Sequence, residues 1–229
     1  MHKSTILKSG VRIIEKRGLC YVAGKDGSVI RFKPWLGDCF SFLYDFIMKR
    51  SVFPRKFGGD MGVHNEILSR VLSDVRRERV LELATGSGSA AGFLENDNRY
   101  TGTDISTGLL KRAVKSFEAA GFEGAEFYVA SGDELPFDDS VFDTCLCMLS
   151  LNFFTDVHRV FQEIRRVLVS GGKFVCSVPV PERKRTQSTI HGTLYREDEL
   201  KPMCEALGFR YERLPFENGA LLYFKAAVP

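Results

Sequence analysis

The stretch that decides the fold runs from Val80 to Ala91 and reads Val-Leu-Glu-Leu-Ala-Thr-Gly-Ser-Gly-Ser-Ala-Ala. Its apolar beginning predicts a buried strand, and its end predicts the start of a helix. Gly86 and Gly88 lie between the two, where the lack of a Cβ lets a ligand approach the backbone closely. The first N–H groups of the helix would be free to bind that ligand. The stretch therefore predicts a binding loop at the carboxyl end of a strand.

A carboxylate lies at the end of the next predicted strand. Asp104 follows Gly86 by eighteen residues, and a carboxylate at this place can accept hydrogen bonds from both hydroxyls of a ribose. The loop and Asp104 together predict a site for a nucleoside-containing cofactor. Gly86, Gly88 and Ala91 also fit the loose fingerprint of dinucleotide-binding loops. These residues alone therefore do not exclude a nicotinamide dinucleotide as the cofactor.

The chain after residue 78 alternates between predicted strands and helices. The predicted strands are 79–84, 99–104, 125–130, 142–149 and 173–180, and the predicted helices are 89–95, 108–120, 156–168 and 196–207. This alternation predicts a Rossmann-like three-layer α/β sandwich with a mainly parallel sheet. Two further strands, 211–214 and 221–226, are joined by so short a turn that they must form an antiparallel hairpin at the sheet edge.

The first sixty residues have a different pattern. Alternating residues around Asp26 and Gly27 predict a hairpin over 20–33. A largely apolar run predicts a helix over 39–50 that begins at Asp38 and is followed by a break at Pro54 and Gly58-Gly59, and helical spacing predicts another helix over 63–76. We therefore expect a hairpin and helical lid in residues 1–60, and a cofactor-binding domain in residues 61–229.

Charge is distributed unevenly along the 229 residues. The net charge of +3 is too small to predict nucleic-acid binding as the main role. Residues 1–60, however, hold twelve basic and five acidic side chains, a net charge of +7, which leaves −4 for the rest. The six cysteines form no C-x-x-C pair, so no metal site is predicted. No signal peptide or membrane span is evident, and we expect a cytoplasmic protein.

Five motifs in a fixed order resemble those of one large family. They are ELATGSG (82–88), YTGTDIS (100–106), LPFDDSVFD (135–143), RRVLVSGGKF (165–174) and LYREDELKPMCEALGF (194–209). With them, residues 60–229 resemble the class I S-adenosylmethionine-dependent methyltransferases, in particular the small-molecule branch that includes the ubiquinone/menaquinone C-methyltransferases. The resemblance implies a seven-stranded sheet whose last strand is antiparallel, and S-adenosyl-L-methionine as the cofactor, with S-adenosyl-L-homocysteine as its product.

The resemblance also assigns site residues. It places the methionine end of the cofactor at Glu82, Ala84, Gly86 and Gly88, the ribose at Asp104 and the adenine at Ile105. Ser131 stands where the family commonly has Asp or Asn against the adenine amino group, and Gly132 and Asp133 would complete that contact. Met148 and Leu149 would line the cofactor near its sulfur, and Tyr44 would cover it.

The implied reaction is in-line transfer of the methyl group to a small-molecule or lipid-like acceptor. His191 and His64 are the candidate bases if the acceptor must lose a proton. The apolar lid with Lys49, Arg50, Arg55 and Lys56 suggests a hydrophobic or anionic acceptor and contact with a membrane surface; the protein would act as a monomer or homodimer, without nucleic acid. Two alternatives stay open, an NAD-dependent oxidoreductase and a non-catalytic regulatory module that binds S-adenosylmethionine.

Overall fold

The structure, a computed structural model, describes residues 6–24, 26–32 and 44–229. Its centre is one sheet of nine strands in the order β1-β2-β5-β4-β3-β6-β7-β9-β8. The strands are β1 (Ile13–Lys16), β2 (Leu19–Val22), β3 (Arg79–Leu83), β4 (Arg99–Asp104), β5 (Glu126–Val129), β6 (Phe142–Met148), β7 (Leu168–Pro179), β8 (Arg210–Arg213) and β9 (Leu221–Ala227).

The strands from β3 onward pair as the sequence predicts. β5, β4, β3, β6 and β7 are parallel to one another, and β9 pairs antiparallel with both β7 and β8. The mostly parallel sheet and the antiparallel hairpin at the carboxyl terminus are therefore confirmed. Since the carboxyl ends of parallel strands meet at one edge, the loops after β3, β4, β5 and β6 lie together.

The predicted count of seven strands is wrong, because the amino-terminal hairpin adds two. β1 and β2 pair antiparallel with each other, and β2 continues the sheet parallel to β5 through Cys20–Tyr128 and Tyr21–Val129. The turn between them is formed by Arg17 and Gly18, both with positive φ. The predicted turn farther along is also present: Gly27 has a positive φ of 80°, the Gly24 amide donates to the Ser28 carbonyl oxygen at 2.7 Å, and Ala23 and Val29 form an antiparallel bridge. The division of the chain at residue 60 stays a prediction.

The α-helices of the described residues accompany the sheet. They are α1 (Tyr44–Ile47), which continues as a π-helix over Met48–Phe57, α2 (Met61–Val71), α3 (Thr107–Ala119), α4 (Val157–Val167) and α5 (Glu197–Ala206). Side chains of Asp60, Ser106 and Asp156 accept hydrogen bonds from the first turns of α2, α3 and α4, respectively, which satisfies amide groups that a helix leaves unpaired. Among the described residues no helix is long and apolar enough to cross a bilayer.

Three predicted helices have different bounds in the structure. The helix expected over 63–76 is α2, which ends at Val71. The expected helix over 89–95 is a 3-10 turn, Ser89–Gly92. The lid helix, which is α1 together with the π-helix that continues it (44–57), does not break at Pro54. It runs on to Phe57, and Gly58 adopts the left-handed conformation that ends it. Its predicted beginning, at Asp38, lies outside the described residues.

The core has one cluster on each face of the sheet and a third beside the lid helix. α4 and α5 cover one face, where Phe161 and Leu200 are fully buried. α3 covers the other, where Phe117 stacks on Tyr100. In the third cluster, Phe53 and Phe57 of the lid helix pack with α2 and with the start of β9. Helices on both faces make this the predicted three-layer sandwich.

Candidate functional site

The glycine loop is joined to Asp104 by hydrogen bonds. The Gly86 amide donates to Asp104 Oδ2 at 2.9 Å, and the Ser106 amide donates to Oδ1 at 2.8 Å. Both oxygens of this carboxylate are thereby fixed at the point where β3 and β4 end. The structure thus brings together the two features that the sequence predicts to form one site.

The two glycines of the loop have different surroundings. A Cβ on Gly86 would meet only the Ala84 carbonyl oxygen, at 3.9 Å, whereas one on Gly88 would lie 2.7 Å from Ala113 Cα. Gly86 therefore leaves room for a ligand, and Gly88 lets the loop pack against α3. Both have positive φ, and so does Ala84, at φ 50°. A non-glycine residue in this conformation stores strain, as is frequent at binding sites.

Glu82 is held in the core below the loop. Its side chain is 2% exposed, and Tyr100 donates a hydrogen bond to its Oε2. Burial, with the nearby Asp104 charge, raises the pKa of the Glu82 carboxyl to about 8, although the Tyr100 bond lowers it. Its role at the methionine end of a cofactor stays a prediction, because the contact that the structure shows is with Tyr100.

Sequence reasoning missed Tyr100 and Thr85. Thr85 Oγ1 lies 3.2 Å from the Tyr100 hydroxyl and donates to the Glu82 carbonyl oxygen, also at 3.2 Å. A signal was available, because a tyrosine in a buried strand needs a partner for its hydroxyl. Glu82 lies on the neighbouring strand, opposite Gly102, within reach of Tyr100.

The residues predicted to meet the adenine lie after β4 and β5. Ile105 is 42% exposed, Ser131 and Asp133 are partly buried, and Gly132 is buried. A Cβ on Gly132 would lie 2.8 Å from the Phe154 ring, so this loop packs tightly against the segment after β6. The Asp133 carbonyl accepts from Arg159 Nε at 3.0 Å, which fixes the backbone of the loop.

The segment after β6 lies at the same carboxyl edge of the sheet, across from the loops that follow β4 and β5. Met148 and Leu149 are partly buried, and Leu149 has a positive φ of 58°. Its amide donates to the carbonyl oxygen of Ser177 at 2.8 Å, and its side chain packs against the cluster formed by the lid helix. Phe153, in the following turn, is 54% exposed. This side of the edge is apolar and touches the lid.

The structure separates the two candidate histidines by environment. His64 is buried beside Phe53, and its Nδ1 lies 2.8 Å from the Tyr223 hydroxyl. Burial lowers the pKa of His64 to about 4. His191 is exposed, and its carbonyl oxygen accepts a hydrogen bond of 2.6 Å from Asn152 Nδ2. The side chain of Tyr44, the predicted cover, lies outside the described part of the structure.

Comparisons with known proteins agree with this geometry. Residues 81–176 match the family model described as a methyltransferase domain. The demethylmenaquinone methyltransferase of Thermotoga maritima is 33% identical over 139 residues, which is 59% of this chain and 58% of that protein. A ubiquinone/menaquinone biosynthesis C-methyltransferase of Desulfotalea psychrophila is 35% identical over 109 residues, 46% of this chain and 43% of that protein. The chain thus spans about half the length of these relatives.

Solved structures share the fold. An S-adenosylmethionine-dependent methyltransferase of Thermotoga maritima has a TM-score of 0.62 at 17% identity, covering 84% of this chain and 98% of that one. Another, from Mesorhizobium loti, has a TM-score of 0.59 at 20% identity, covering 72% and 97%. Residues 81–176 therefore match a methyltransferase domain, and the chain shares its fold with S-adenosylmethionine-dependent methyltransferases.

Proposed function

We propose that this protein transfers a methyl group from S-adenosylmethionine to an apolar, quinol-like small molecule. The observation that carries the proposal is the bonded pair of Gly86 and Asp104 at the carboxyl edge of the sheet. The named relatives act in menaquinone and ubiquinone biosynthesis, which supports an acceptor of that chemical class. An oxidoreductase is a weaker alternative, because the matched family model is that of a methyltransferase.

The residues of the loop fit the cofactor. The open space beside Gly86 admits a ligand to the backbone, and Asp104 would receive the ribose hydroxyls. The exposed side chain of Ile105 would pack on the adenine, with Ser131, Gly132 and Asp133 along its edge. Gly88 would support the loop from the α3 side. S-Adenosylmethionine, when bound, supplies a methyl group on a sulfonium sulfur.

The apolar side of the edge would hold the acceptor. Met148 and Leu149 would lie next to the reacting centre, and Phe153 offers an exposed ring nearby. In the lid helix, Phe46 and Ile47 are 61% and 41% exposed. These side chains would align an apolar ring and exclude water, and alignment is the larger part of what such a transfer requires.

His191 is the better candidate for a base. Its side chain is exposed, and the Asn152 bond attaches its backbone to the turn that follows β6. His64 would instead stabilise the packing of α2 against β9 through its hydrogen bond with Tyr223. If the acceptor is a phenol or quinol, His191 would accept the hydroxyl proton, whose loss makes the ring carbon nucleophilic. After the methyl group is transferred, the ring carbon releases its own hydrogen as a proton, which restores the aromatic ring.

The basic side chains of the lid would bring the protein to an anionic membrane surface. Lys49, Arg50 and Arg55 are exposed, and the Arg50 guanidinium lies 5.7 Å from the centre of the Phe46 ring. Cations beside exposed apolar side chains suit the boundary between lipid headgroups and acyl chains. The cytoplasmic location and the monomeric or dimeric state stay predictions.

The direct test is turnover with a reduced quinone. The protein is incubated with S-adenosylmethionine and a prenylated demethylquinol, and mass spectrometry follows the quinol and the S-adenosylhomocysteine formed. We expect one methyl group to be added on a ring carbon, and His191→Gln to lower kcat at least tenfold without changing cofactor affinity. Binding of the cofactor with no transfer to any quinol, phenol or amine would instead support a regulatory module.

A further inference from the structure

A cavity of about 430 Å³ lies next to Ile105, on the side of the sheet where the amino-terminal hairpin is. Its wall is formed by the turn after β1, by residues 29–32 and by the first turns of α3. This volume is within the range of small-molecule sites. The cavity is therefore large enough for a ligand of its own.

Four basic side chains line this cavity: Lys16, Arg17, Arg31 and Lys111. No acidic residue is part of the lining, and in the described ranges no carboxylate forms an ion pair with any of the four. Other basic side chains of the surface have such partners, for example Arg76 with Glu95. Unneutralised cations around a concave surface raise the positive potential inside it. The cavity is therefore suited to an anion.

The wall also carries apolar side chains that water contacts. Ile30 and Ile105 are 41% and 42% exposed, and the partly buried rings of Tyr21 and Phe32 contribute to the same lining. Covering exposed apolar surface would favour binding. A ligand that combines an apolar ring with a phosphate would use both features, since guanidinium groups match phosphate oxygens well.

The cavity adjoins the predicted cofactor site and shares one residue with it. Its lining includes Ile105 but none of Gly86, Asp104, Ser131 and Gly132. The side chain of Ile105 would therefore stand between a ligand in the cavity and the adenine ring. Three of the four cations, Lys16, Arg17 and Arg31, belong to the basic first sixty residues, whose charge the proposed methyl transfer does not fully explain.

We propose that this cavity, hereafter the basic cavity, is a second binding site that takes a small phosphorylated aromatic molecule. The ring would lie against Ile30 and Ile105, and the phosphate would be held by the four cations. The site does not depend on the proposed methyl transfer, because none of its cations belongs to the glycine loop.

The test is a fluorescence and calorimetric titration of the full chain with 1-naphthyl phosphate, and with inorganic pyrophosphate and 1-naphthol as charge-only and ring-only probes. We expect 1-naphthyl phosphate to bind at least tenfold more tightly than either probe. Saturating S-adenosylhomocysteine should change that affinity less than threefold. Displacement by S-adenosylhomocysteine would show that the probe occupies the cofactor site, and would overturn the proposal.

Matched variants locate the site. Changing Lys16, Arg17, Arg31 and Lys111 to Gln should lower the affinity for 1-naphthyl phosphate at least tenfold. The control changes four exposed cations outside the lining, Arg99, Lys201, Arg210 and Arg213, to Gln, and should leave the affinity within twofold. An equal loss in both would mean that net charge alone attracts the probe, which contradicts a built site.

Two further measurements cover the other outcomes. Ile30→Ser should weaken the binding of 1-naphthyl phosphate but not that of pyrophosphate. If the binding of both probes weakens equally, or neither changes, the aromatic ring does not contact Ile30 and that part of the proposal is wrong. If the fourfold variant does not fold, the double variant Arg17→Gln/Arg31→Gln replaces it, and it should also bind 1-naphthyl phosphate more weakly. Failure of every small probe, together with binding to phosphatidylglycerol vesicles that the double variant loses, would replace the small ligand by a lipid surface.

Discussion

The amide of Gly86 donates a hydrogen bond to the carboxylate of Asp104, which joins the ends of two neighbouring parallel strands. Because Ser106 binds the other oxygen, the carboxylate cannot turn away from the loop without losing a bond. A side chain predicted to bind the ribose thus also shapes the loop that approaches the cofactor. Binding and loop geometry depend on one residue.

Replacement of Asp104 by Ala should therefore weaken S-adenosylhomocysteine binding by roughly 10- to 100-fold, as expected when hydrogen bonds to a charged group, worth about 1.5–3 kcal/mol, are lost. Isothermal calorimetry measures this directly. Asp138→Ala is the control, because Asp138 is exposed and lies outside the predicted cofactor site. Unchanged affinity in Asp104→Ala would remove this carboxylate from the site.

The two loop glycines should respond differently to alanine. Gly88→Ala places a Cβ 2.7 Å from Ala113 Cα, so overpacking of about 1–3 kcal/mol is added to the cost of a positive φ. Gly124→Ala is the matched control, because Gly124 has φ 76° and no atom within 4 Å of the added Cβ. Urea denaturation should show a larger loss of stability for Gly88→Ala.

Gly86→Ala should instead act mainly on binding. Its Cβ would have room in the folded protein but would project into the space proposed for the cofactor. We expect unfolding close to that of Gly124→Ala, with at least a tenfold loss of S-adenosylhomocysteine affinity. A variant that binds normally would show that the ligand does not approach Gly86.

Glu82 should make stability depend on pH. Its pKa is about 8 in the folded protein against an ordinary value of 4.5, so the folded state binds more protons than the unfolded state between these values. Stability should then fall as pH rises from 4.5 to 8. Glu82→Gln should flatten the slope measured by urea denaturation, and an identical slope in both proteins would contradict a protonated Glu82.

His64 contributes the opposite slope at lower pH. Its pKa of about 4, against 6.5, means that the unfolded state takes up a proton first, so stability falls as pH drops from 6.5 to 4. The two effects oppose each other between pH 4.5 and 6.5. The interval from pH 6.5 to 8 therefore reports mainly on Glu82, and His64→Gln should change the stability curves mainly below pH 6.5.

The lid helix should be an integral part of the folded domain. Phe53 is fully buried, with its ring centre 5.4 Å from that of Phe57 and 5.2 Å from that of His64. Phe53→Ala should cost about 3–5 kcal/mol, whereas Phe46→Ala, at an exposed position, should stay within about 0.5 kcal/mol. A small loss in Phe53→Ala would mean that the lid folds separately.

The alternation of strands and helices predicts most of the sheet, because period and spacing are local properties. The first hairpin was missed because its turn places Arg17 at φ 53°, where Asn or Gly is the usual signal. The predicted helix over 89–95 shortens to one 3-10 turn. The Glu82 contact with Tyr100 depends on the register between β3 and β4, which the spacing of residues along the chain does not determine.

In the candidate site, too, local features of the sequence could be predicted and contacts between distant segments could not. Gly86 and Asp104 could be predicted to meet, because both follow parallel strands. The burial of His64 could not, since its partner Tyr223 lies 159 residues away on a strand of another hairpin. The basic cavity could not be predicted either, because it forms only where the loop after β2 lies against α3, and no sequence motif indicates that contact.

The central claim is that the glycine loop and Asp104 bind S-adenosylmethionine. It is tested most directly by calorimetric titration of the full chain with S-adenosylhomocysteine and, separately, with NAD. The account predicts saturable binding of S-adenosylhomocysteine at one site, lost in Asp104→Ala, and no heat from NAD beyond dilution. Binding of NAD, with no response to S-adenosylhomocysteine, would contradict it.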